Sequence, residues 1–299
     1  MNAVSSNLSP AVTLSADTLR HWPLPATDDI VDKEDRGHVL VVAGSREIPG
    51  AAVLAATAAL RAGAGKLTIA TAQSIAAGLA LALPEARVIA LPETPAGGLH
   101  FSGASLLDTC ATHASAVLIG PGLLDAESSC ELIETLLEKL HKVPVILDAL
   151  AMDVVLRTER FEQPVLLTPH AGEMAHLTLM PKDEVLSDAL KAAQDNARGW
   201  NAVVALKGAT TFIATPNGNC WCHTAGMAGM AGLATSGSGD TLAGLMVGLA
   251  ARGVSLEQAA AWGVVLHALA GKRLTERVGP LGFLARELLA EIPAVMRDI

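Results

Sequence analysis

The sequence predicts an α/β fold, with a mostly parallel sheet and helices packed on both of its faces. From residue 38 onward, strand and helix patterns alternate along the 299-residue chain. The strands are uniformly apolar, as expected for a parallel sheet that is buried on both sides. Apolar residues make up 51% and charged residues 17% of the chain, which fits a large core. We therefore expect one domain at 37–299, preceded by an N-terminal arm at 1–36.

The arm is polar and irregular, apart from a short helix predicted at 15–20. In the domain, the apolar run 39–43 is predicted as a strand, and the small residues of 51–62, which end at Gly63, as a helix. The alternation continues with a strand at 66–71, a helix at 74–83 before Pro84, a strand at 87–91, a helix at 105–112, a strand at 116–119, a helix at 126–141 and a strand at 143–147.

The pattern changes in the second half of the domain. A strand at 165–167 and a long helix at 182–200 complete the alternating part. Short strands are predicted at 202–206, 211–214 and 220–223, and a Pro-Asn-Gly turn joins the last two as a hairpin. Apolar helices are predicted at 240–251, 255–274 and 283–295.

Composition argues against several classes of partner. The chain has 21 basic and 30 acidic residues, a net charge of −9, which disfavours a nucleic-acid or anionic-membrane surface. Aromatic residues make up 3%, without any tyrosine, so stacking on nucleic-acid bases is not expected. The first residues lack a secretory pattern, and the four cysteines lack a disulfide framework. We expect a soluble, cytoplasmic protein.

Unusual residues follow five of the predicted strands. They are Gly44-Ser45, Gly120-Pro-Gly122, Asp148, Thr168-Pro-His170 with Glu173, and Lys207-Gly208. In open α/β sheets, ligands bind beyond the carboxyl ends of the strands. Glycine and proline are also ordinary turn residues, but five such ends together favour a ligand site.

A glycine-rich loop, 232–240, runs into the helix predicted from Asp240. Its small residues Gly237, Ser238 and Gly239 let backbone amides approach a ligand closely. The positive end of the following helix suits a phosphate, and Asp240 is placed beside it to take a proton. The alternative is an ordinary loop in which serine or aspartate caps the helix.

Known phosphate and metal patterns fit less well. The turn after the first strand lacks the dinucleotide fingerprint, and Gly63-Ala-Gly-Lys66 lacks the upstream glycine and the hydroxyl of a P-loop. His170, Glu173 and His176 are spaced by three, as ligands on one helical face would be. We favour instead a substrate contact for His170 and a water-mediated Mg²⁺ contact for Glu173.

Several motifs together resemble those of the ADP/ATP-dependent NAD(P)H-hydrate dehydratases, a branch of the ribokinase-like superfamily. They are Val-Leu-Val-Val-Ala-Gly-Ser from residue 39, Ile-Gly-Pro-Gly-Leu from 119, Thr-Pro-His-Ala-Gly-Glu from 168, Leu-Lys-Gly-Ala from 206 and Gly-Leu-Ala-Thr-Ser-Gly-Ser-Gly-Asp from 232. The resemblance implies a ribokinase-like three-layer α/β/α fold. It also implies repair of hydrated NADH or NADPH, in which the ring hydroxyl is phosphorylated by ADP, or by ATP, and phosphate then leaves.

The resemblance also implies roles for individual residues. Asp240 matches the base that deprotonates the hydroxyl, and the amides of Gly237, Ser238, Gly239 and Asp240 match the anion hole. The segment that holds the adenine nucleotide matches Lys207, Gly208, Ala209, Thr210 and Thr211, joined by Gly239. Positions that contact the hydrated dinucleotide match Ala51, Gly122 and His170, together with Asp240. Mg²⁺, a homotetramer and a separate epimerase that supplies the S-epimer are further expectations.

The chain departs from the family's pattern in three places. Ile48 stands where a tyrosine is frequent, Leu150 replaces the second aspartate of Asp-Ala-Asp, and Met230-Ala231 replaces Asn-Pro before the glycine loop. Two other functions share the loop or the fold. They are a small-molecule hydroxyl kinase, for instance of a thiazole alcohol or hydroxymethylpyrimidine, and a non-catalytic nucleotide-binding protein.

Overall fold

Ten strands form one sheet within residues 10–26, 32–226 and 231–299, the ranges that this computed structural model describes. The strands are β1 Val12–Thr13, β2 His38–Val42, β3 Lys66–Ala72, β4 Arg87–Leu91, β5 Ala116–Ile119, β6 Val145–Leu147, β7 Val165–Leu167, β8 Val203–Leu206, β9 Thr210–Ala214 and β10 Cys220–Thr224. Their order is β1-β10-β9-β8-β7-β6-β5-β2-β3-β4, and among these strands only β9 pairs antiparallel with its neighbours.

Helices cover both faces of the sheet. They are α1 Ala16–Arg20, α2 Pro49–Arg61, α3 Gln73–Ala82, α4 Asp108–His113, α5 Ala126–Leu137, α6 Ala171–Thr178, α7 Lys182–Ser187, α8 Ala189–Trp200, α9 Ser238–Ala251, α10 Leu256–Arg277 and α11 Ala285–Asp298. Short 3₁₀ helices span Phe101–Leu107 and Ala149–Leu156.

Successive side chains of β2 enter two separate cores because strand side chains alternate between faces. Val39 and Val41 pack with α2, α9, α10 and α11, whereas Leu40 and Val42 pack with α4, α5 and α8. This arrangement confirms the predicted three-layer α/β/α architecture.

Some predicted boundaries are wrong. The helix predicted at 182–200 is two helices, because Asp188 leaves the helical conformation (φ −144°, ψ 64°) and its carboxylate accepts a hydrogen bond from Lys191 N. The helix predicted at 126–141 ends at Leu137, and the strand predicted at 143–147 begins only at Val145. The last helix before the chain's end begins at Ala285 rather than at residue 283.

Part of the N-terminal arm adds to the sheet. β1 pairs with β10, and Trp22 stacks on Trp221 with ring centroids 5.3 Å apart. Side chains of α10 hold the arm's backbone, since Gln258 Nε2 and Trp262 Nε1 both donate to the Trp22 carbonyl, at 3.1 and 2.8 Å. None of the helices in the described ranges has the length and apolar character needed to cross a membrane.

Candidate functional site

The five strand ends with unusual residues lie side by side. They belong to β8, β7, β6, β5 and β2, which are consecutive in the sheet and parallel to one another. Strand order reverses between β5 and β2, and such a switch point is where open α/β sheets bind ligands. The two flanking turns are tied together there, because Gly44 N donates to the Pro121 carbonyl at 2.8 Å.

An ion pair between a partly buried lysine and a buried aspartate occupies the middle of this row. Lys207 Nζ, after β8, lies 3.0 Å from Asp148 Oδ1, after β6. Thr168, after the intervening β7, donates its hydroxyl to the same carboxylate oxygen at 2.6 Å. Glu173 is a second acidic neighbour, with Oε2 at 3.9 Å from Lys207 Nζ. Burial lowers the pKa of Lys207, but the charges of Asp148 and Glu173 outweigh it, so the net pKa is raised and the ammonium stays charged.

The glycine loop meets this row at the start of α9. Gly237 is the residue before the helix and has φ +87°, which glycine adopts without strain. A Cβ on Gly237 would lie 2.4 Å from Leu54 Cδ1 of α2. No side chain caps the helix, so the alternative of a loop capped by serine or aspartate is wrong at this position. The helix begins at Ser238, two residues before its predicted start.

The first turn of α9 presents backbone amides without partners in the helix itself. One of them is used locally, because Ser238 N donates to the Thr235 carbonyl at 3.2 Å. Gly239 and Asp240 follow at the next two positions of the turn. A Cβ on Gly239 would lie 3.7 Å from Lys207 Nζ, so the cation faces this turn. A positive side chain and a helix N-terminus thus converge at one place, an arrangement that favours anions.

Asp240 carries an unusually basic carboxylate. Burial raises its pKa to about 6, and the negative charge of Asp148 adds to the rise, while Lys207 opposes it. A carboxylate with this pKa is largely ionised at neutral pH and is still basic enough to accept a proton from a hydroxyl group. The arrangement therefore supplies a base next to an anion-binding turn.

His170 and Glu173 form a capping box at the start of α6. His170 Nδ1 accepts hydrogen bonds from Gly172 N and Glu173 N, both at 3.0 Å, and Glu173 Oε2 accepts one from His170 N at 2.7 Å. The remaining ring nitrogen, Nε2, lies 3.8 Å from Glu173 Oε2, and the side chain is 60% exposed, so a ligand can still reach it. His176, which the metal alternative groups with these two residues, pairs instead with Asp153 at 3.2 Å.

A cavity of about 440 Å³ opens beside this cluster. Six of the predicted site residues line it, namely His170, Lys207, Gly208, Thr211, Ser238 and Gly239. The other wall is apolar, with Leu233, Leu242 and Val264. The mixture of an apolar wall and a few convergent polar groups is typical of small-molecule sites.

Two more residues of the predicted nucleotide-holding segment, Ala209 and Thr210, lie outside the described lining of the cavity. Ala209 is in the turn between β8 and β9, and Thr210 begins β9. The Thr210 hydroxyl is 2.9 Å from that of Thr224 on β10, so its side chain is already paired across the hairpin.

Ala51 and Gly122 form a second group, outside the described lining of the cavity. Gly122 has φ +68°, and a Cβ there would lie 2.8 Å from Ala51 Cβ and 2.7 Å from the Ile48 carbonyl oxygen. The first turn of α2 and the turn after β5 are therefore in close contact. Helix α2 connects this group to the glycine loop, because Leu54, one turn after Ala51, packs on Gly237.

The described residues contain no group of three or more His, Cys, Asp or Glu side chains that could hold a metal ion. Cys220 and Cys222 lie in strand β10, within the run 220–223 that is predicted as a strand. Met230, one of the departures from the family's pattern, lies outside the described residues.

Sequence reasoning did not assign His267 to the site. It lies inside α10, lines the cavity, and places Nε2 at 3.0 Å from Ser238 Oγ. A histidine inside an apolar helix gives the same sequence signal as an ordinary core residue, so no local pattern distinguishes it. The sequence marks Asp148 only as a residue at a strand end, because its pairing with Lys207, 59 residues away, depends on the sheet order.

Comparison with known proteins places the chain in a family. A family model described as NAD(P)H-hydrate dehydratase matches residues 39–294. The ADP-dependent (S)-NAD(P)H-hydrate dehydratase of Xanthomonas campestris is 46% identical over 284 residues, which cover 95% of this chain and 96% of that protein.

Solved structures agree with this relationship. The ADP/ATP-dependent NAD(P)H-hydrate dehydratase from Bacillus subtilis, co-crystallised with ATP and Mg²⁺, is similar with a TM-score of 0.80 at 30% identity, over 98% of this chain and 99% of that one. A ribokinase-like superfamily protein from Enterococcus faecalis is similar with a TM-score of 0.82 at 27% identity, over 100% and 98%. The fold is thus ribokinase-like, and the chain belongs to the NAD(P)H-hydrate dehydratase family.

Proposed function

We propose that this protein is an ADP-dependent dehydratase of the S-epimer of hydrated NADH and NADPH. It transfers a phosphoryl group from the nucleotide to the ring hydroxyl, and loss of phosphate then restores the double bond. The observation that carries the proposal is Asp240, a carboxylate with a pKa raised to about 6 at the first turn of α9, beside an anion-binding turn and a nucleotide-sized cavity. Membership of the dehydratase family supports it.

Asp240 is the proposed general base. It removes the proton from the ring hydroxyl as the hydroxyl oxygen attacks the terminal phosphorus of ADP, and AMP leaves with the electrons of the broken P–O bond. The C–O bond of the phosphorylated ring then breaks, and phosphate carries away the former hydroxyl oxygen with the electrons of that bond. The neighbouring ring carbon loses a proton to water, and the electrons of its C–H bond form the restored double bond. Phosphate is a far better leaving group than hydroxide, which gives the nucleotide its chemical purpose.

The anion hole is proposed to consist of the backbone amides at the start of α9. Gly239 and Asp240 are the best placed, since Ser238 N already donates to Thr235. Lys207 faces the same turn and adds a positive charge where the transferred phosphoryl group carries negative charge. Gly237 takes part through its φ of +87°, which sets the direction of the amides that follow.

The cavity is proposed to hold the adenine nucleotide. Lys207, Gly208 and Thr211 line one side of it, next to Gly239, and the apolar wall suits a purine ring. Ala209 and Thr210 complete this segment through their backbone. The hydrated dinucleotide is proposed to contact His170, Asp240 and the Ala51–Gly122 group, so that it spans the row of strand ends from β7 to β5.

Mg²⁺ is proposed to arrive with the nucleotide rather than to occupy a protein cage. Two of the three described carboxylates near the site are already engaged, with Asp148 bound to Lys207 and Glu173 capping α6, and the third, Asp240, is the proposed base. Mg²⁺ keeps much of its water and binds through few carboxylates plus phosphates, so a water-mediated contact to Glu173 fits. When bound, the ion would neutralise charge on the phosphates.

The assembly and location expected from the sequence are also proposals. We propose a homotetramer in the cytoplasm, supplied with the S-epimer by a separate epimerase. Division of the chain into an arm at 1–36 and a dehydratase domain at 37–299 likewise stays a prediction.

Incubation with hydrated NADH, Mg²⁺ and either ADP or ATP tests the function. We expect recovery of the NADH absorbance with ADP, together with AMP and free phosphate. A phosphorylated product that accumulates without NADH would instead support the small-molecule kinase. Nucleotide binding without any turnover would support the non-catalytic alternative.

A further inference from the structure

The Ser238 hydroxyl is tethered to the neighbouring helix. Ser238 Oγ lies 3.0 Å from His267 Nε2, so α9 and α10 are joined by a side-chain hydrogen bond at the glycine loop. Both residues are buried, at 4% and 8% exposure, and both line the cavity. A hydrogen bond shielded from water in this way holds its geometry more firmly than an exposed one.

The imidazole of His267 is neutral at physiological pH. Burial lowers its pKa to about 4, the positive charge of Lys207 acts in the same direction, and a hydrogen bond with the Ser238 backbone opposes both. A neutral ring can donate to the serine hydroxyl or accept from it, so either tautomer keeps the bond. The ring adds no charge to a site that already contains Asp148, Lys207 and Asp240. Its contribution is therefore to geometry.

The loop depends on this kind of support. Gly237 precedes α9 and provides no side-chain cap, so the first turn lacks the usual local restraint. Helix α10 contacts the loop at a second point on the same face, four residues after His267. A Cβ on Gly271 would lie 2.8 Å from Leu233, so the loop's leucine sits directly on the helix there.

We propose that His267 is a positioning residue of the phosphoryl-transfer site. It holds the Ser238 hydroxyl and thereby fixes the direction of the Gly239 and Asp240 amides and of the Asp240 carboxylate, without contacting the reacting atoms. The proposal rests on the proposed function. It concerns catalysis rather than nucleotide affinity, since small displacements of catalytic groups reduce the rate of the chemical step more than they reduce binding.

Four variants test it in the NADH-recovery assay with ADP. His267→Leu removes the hydrogen bond, and we expect kcat to fall roughly 10- to 100-fold with the KM for ADP changed less than about threefold. His267→Gln keeps a polar group at this reach, and we expect kcat to remain within about threefold of the wild type. Ser238→Ala should match His267→Leu, and the double variant should fall no further than either single one, because both remove the same interaction.

Val265→Ala is the matched control for lost packing. Val265 lies on the same helix and is fully buried, but it does not line the cavity. Thermal unfolding of each variant shows how much stability is lost, and we expect Val265→Ala to lose stability while kcat stays at the wild-type value.

The outcomes distinguish a wrong proposed function from a wrong positioning role for His267. If the wild type recovers no NADH, the proposed function is wrong, and this proposal falls with it. If the wild type is active and His267→Leu keeps its kcat, only the positioning role is wrong. Additive losses in the double variant, or a His267→Gln variant as slow as His267→Leu, would equally contradict it.

Discussion

At the scale of single residues, Asp240 shows how function and stability oppose each other. Partial burial, and after it the negative charge of Asp148, raise the pKa of this carboxylate from 3.8 to about 6. The folded protein therefore holds a proton between about pH 4 and 6 that the unfolded chain releases. Stability is lost as the pH rises through this window, because the folded protein must carry an unfavourable charge above it. The same raised pKa that lowers the stability makes Asp240 a stronger base.

Asp240→Asn is expected to remove turnover while making the protein more stable. Loss of the base acts on the transition state, so we expect a fall in kcat of at least roughly 100-fold with ADP binding retained. Above pH 6 the variant should gain roughly 2–3 kcal/mol in the free energy of unfolding, since a pKa difference of about two units is removed. Urea unfolding at pH 8 and at pH 4 measures this gain. A variant with wild-type kcat, or with the same gain at both pH values, would contradict the assignment.

The acid limb of the pH–rate profile is a second residue-scale prediction. We expect kcat/KM to rise with pH as Asp240 ionises, with an apparent pKa near the value of about 6. Asp148→Asn removes a negative charge that raises the pKa of Asp240, and asparagine can still accept the hydrogen bonds of Lys207 and Thr168. The limb should therefore move to lower pH. A limb that stays in place or moves upward would show that Asp148 does not influence the base.

At the scale of helices and strands, the sequence predicts most elements correctly but does not show which elements lie next to each other in the fold. Strands β4, β5 and β7 have their predicted bounds, because β5 and β7 are uninterrupted apolar runs and β4 is apolar after Arg87. The sequence does not predict the break at Asp188, because the helical pattern continues through this residue. The break depends on one local hydrogen bond, in which the Asp188 carboxylate caps α8 by accepting from Lys191 N. The helix at Ala171–Thr178 was not predicted, although its His170–Glu173 capping box lies in the sequence, because histidine is not a usual capping residue.

The sequence predicts only part of the site, because it shows local patterns and not the contacts between elements. Each strand end stands out locally, so His170, Lys207 and the glycine loop could be named from the sequence. Which ends lie together depends on the sheet order, which no local pattern encodes. The Ser238–His267 bond therefore emerges only from the fold.

Helix α9 packs on α2 through Gly244 and Gly248, and this contact positions the glycine loop. A Cβ on Gly248 would lie 2.4 Å from the Ala59 carbonyl oxygen and 2.8 Å from Ala62 Cβ. We expect Gly248→Ala to lower the free energy of unfolding by about 1–3 kcal/mol, because the backbone of α2 must move.

Gly78→Ala is the matched control for that variant. Gly78 lies within α3, and a Cβ there would meet nothing within 4 Å. The substitution should stabilise the protein by about 0.5–1 kcal/mol through helix propensity alone. Chemical denaturation of both variants gives the comparison, and a Gly248→Ala variant as stable as Gly78→Ala would refute close packing of α9 on α2.

At the scale of the whole molecule, the described part of the N-terminal arm helps to build the site. β1 extends the sheet beside β10, and the Leu14 carbonyl oxygen lies 2.9 Å from Nδ1 of His223, which lines the cavity. A carbonyl only accepts hydrogen bonds, so Nδ1 of His223 is the donor in this contact. Residues near the start of the chain thus fix a wall of the cavity formed more than 200 residues later.

Trp22→Ala tests the arm's contribution to stability. Trp22 stacks on Trp221 and is half-buried, so we expect a loss of about 2 kcal/mol, below the range for a fully buried tryptophan. Leu81→Ala provides the comparison, since Leu81 is 86% exposed and should change stability by less than about 0.5 kcal/mol. Equal unfolding midpoints for the two variants would mean that the arm is not held by this contact.

The central claim is that the ring hydroxyl leaves as part of a phosphate, and isotope transfer tests it most directly. Hydrated NADH carrying ¹⁸O in its ring hydroxyl is incubated with the protein, Mg²⁺ and unlabelled ADP, and the released phosphate is analysed by mass spectrometry. The account predicts one ¹⁸O atom in each phosphate, with equal amounts of phosphate, AMP and NADH. Unlabelled phosphate, with ¹⁸O in water instead, would contradict it.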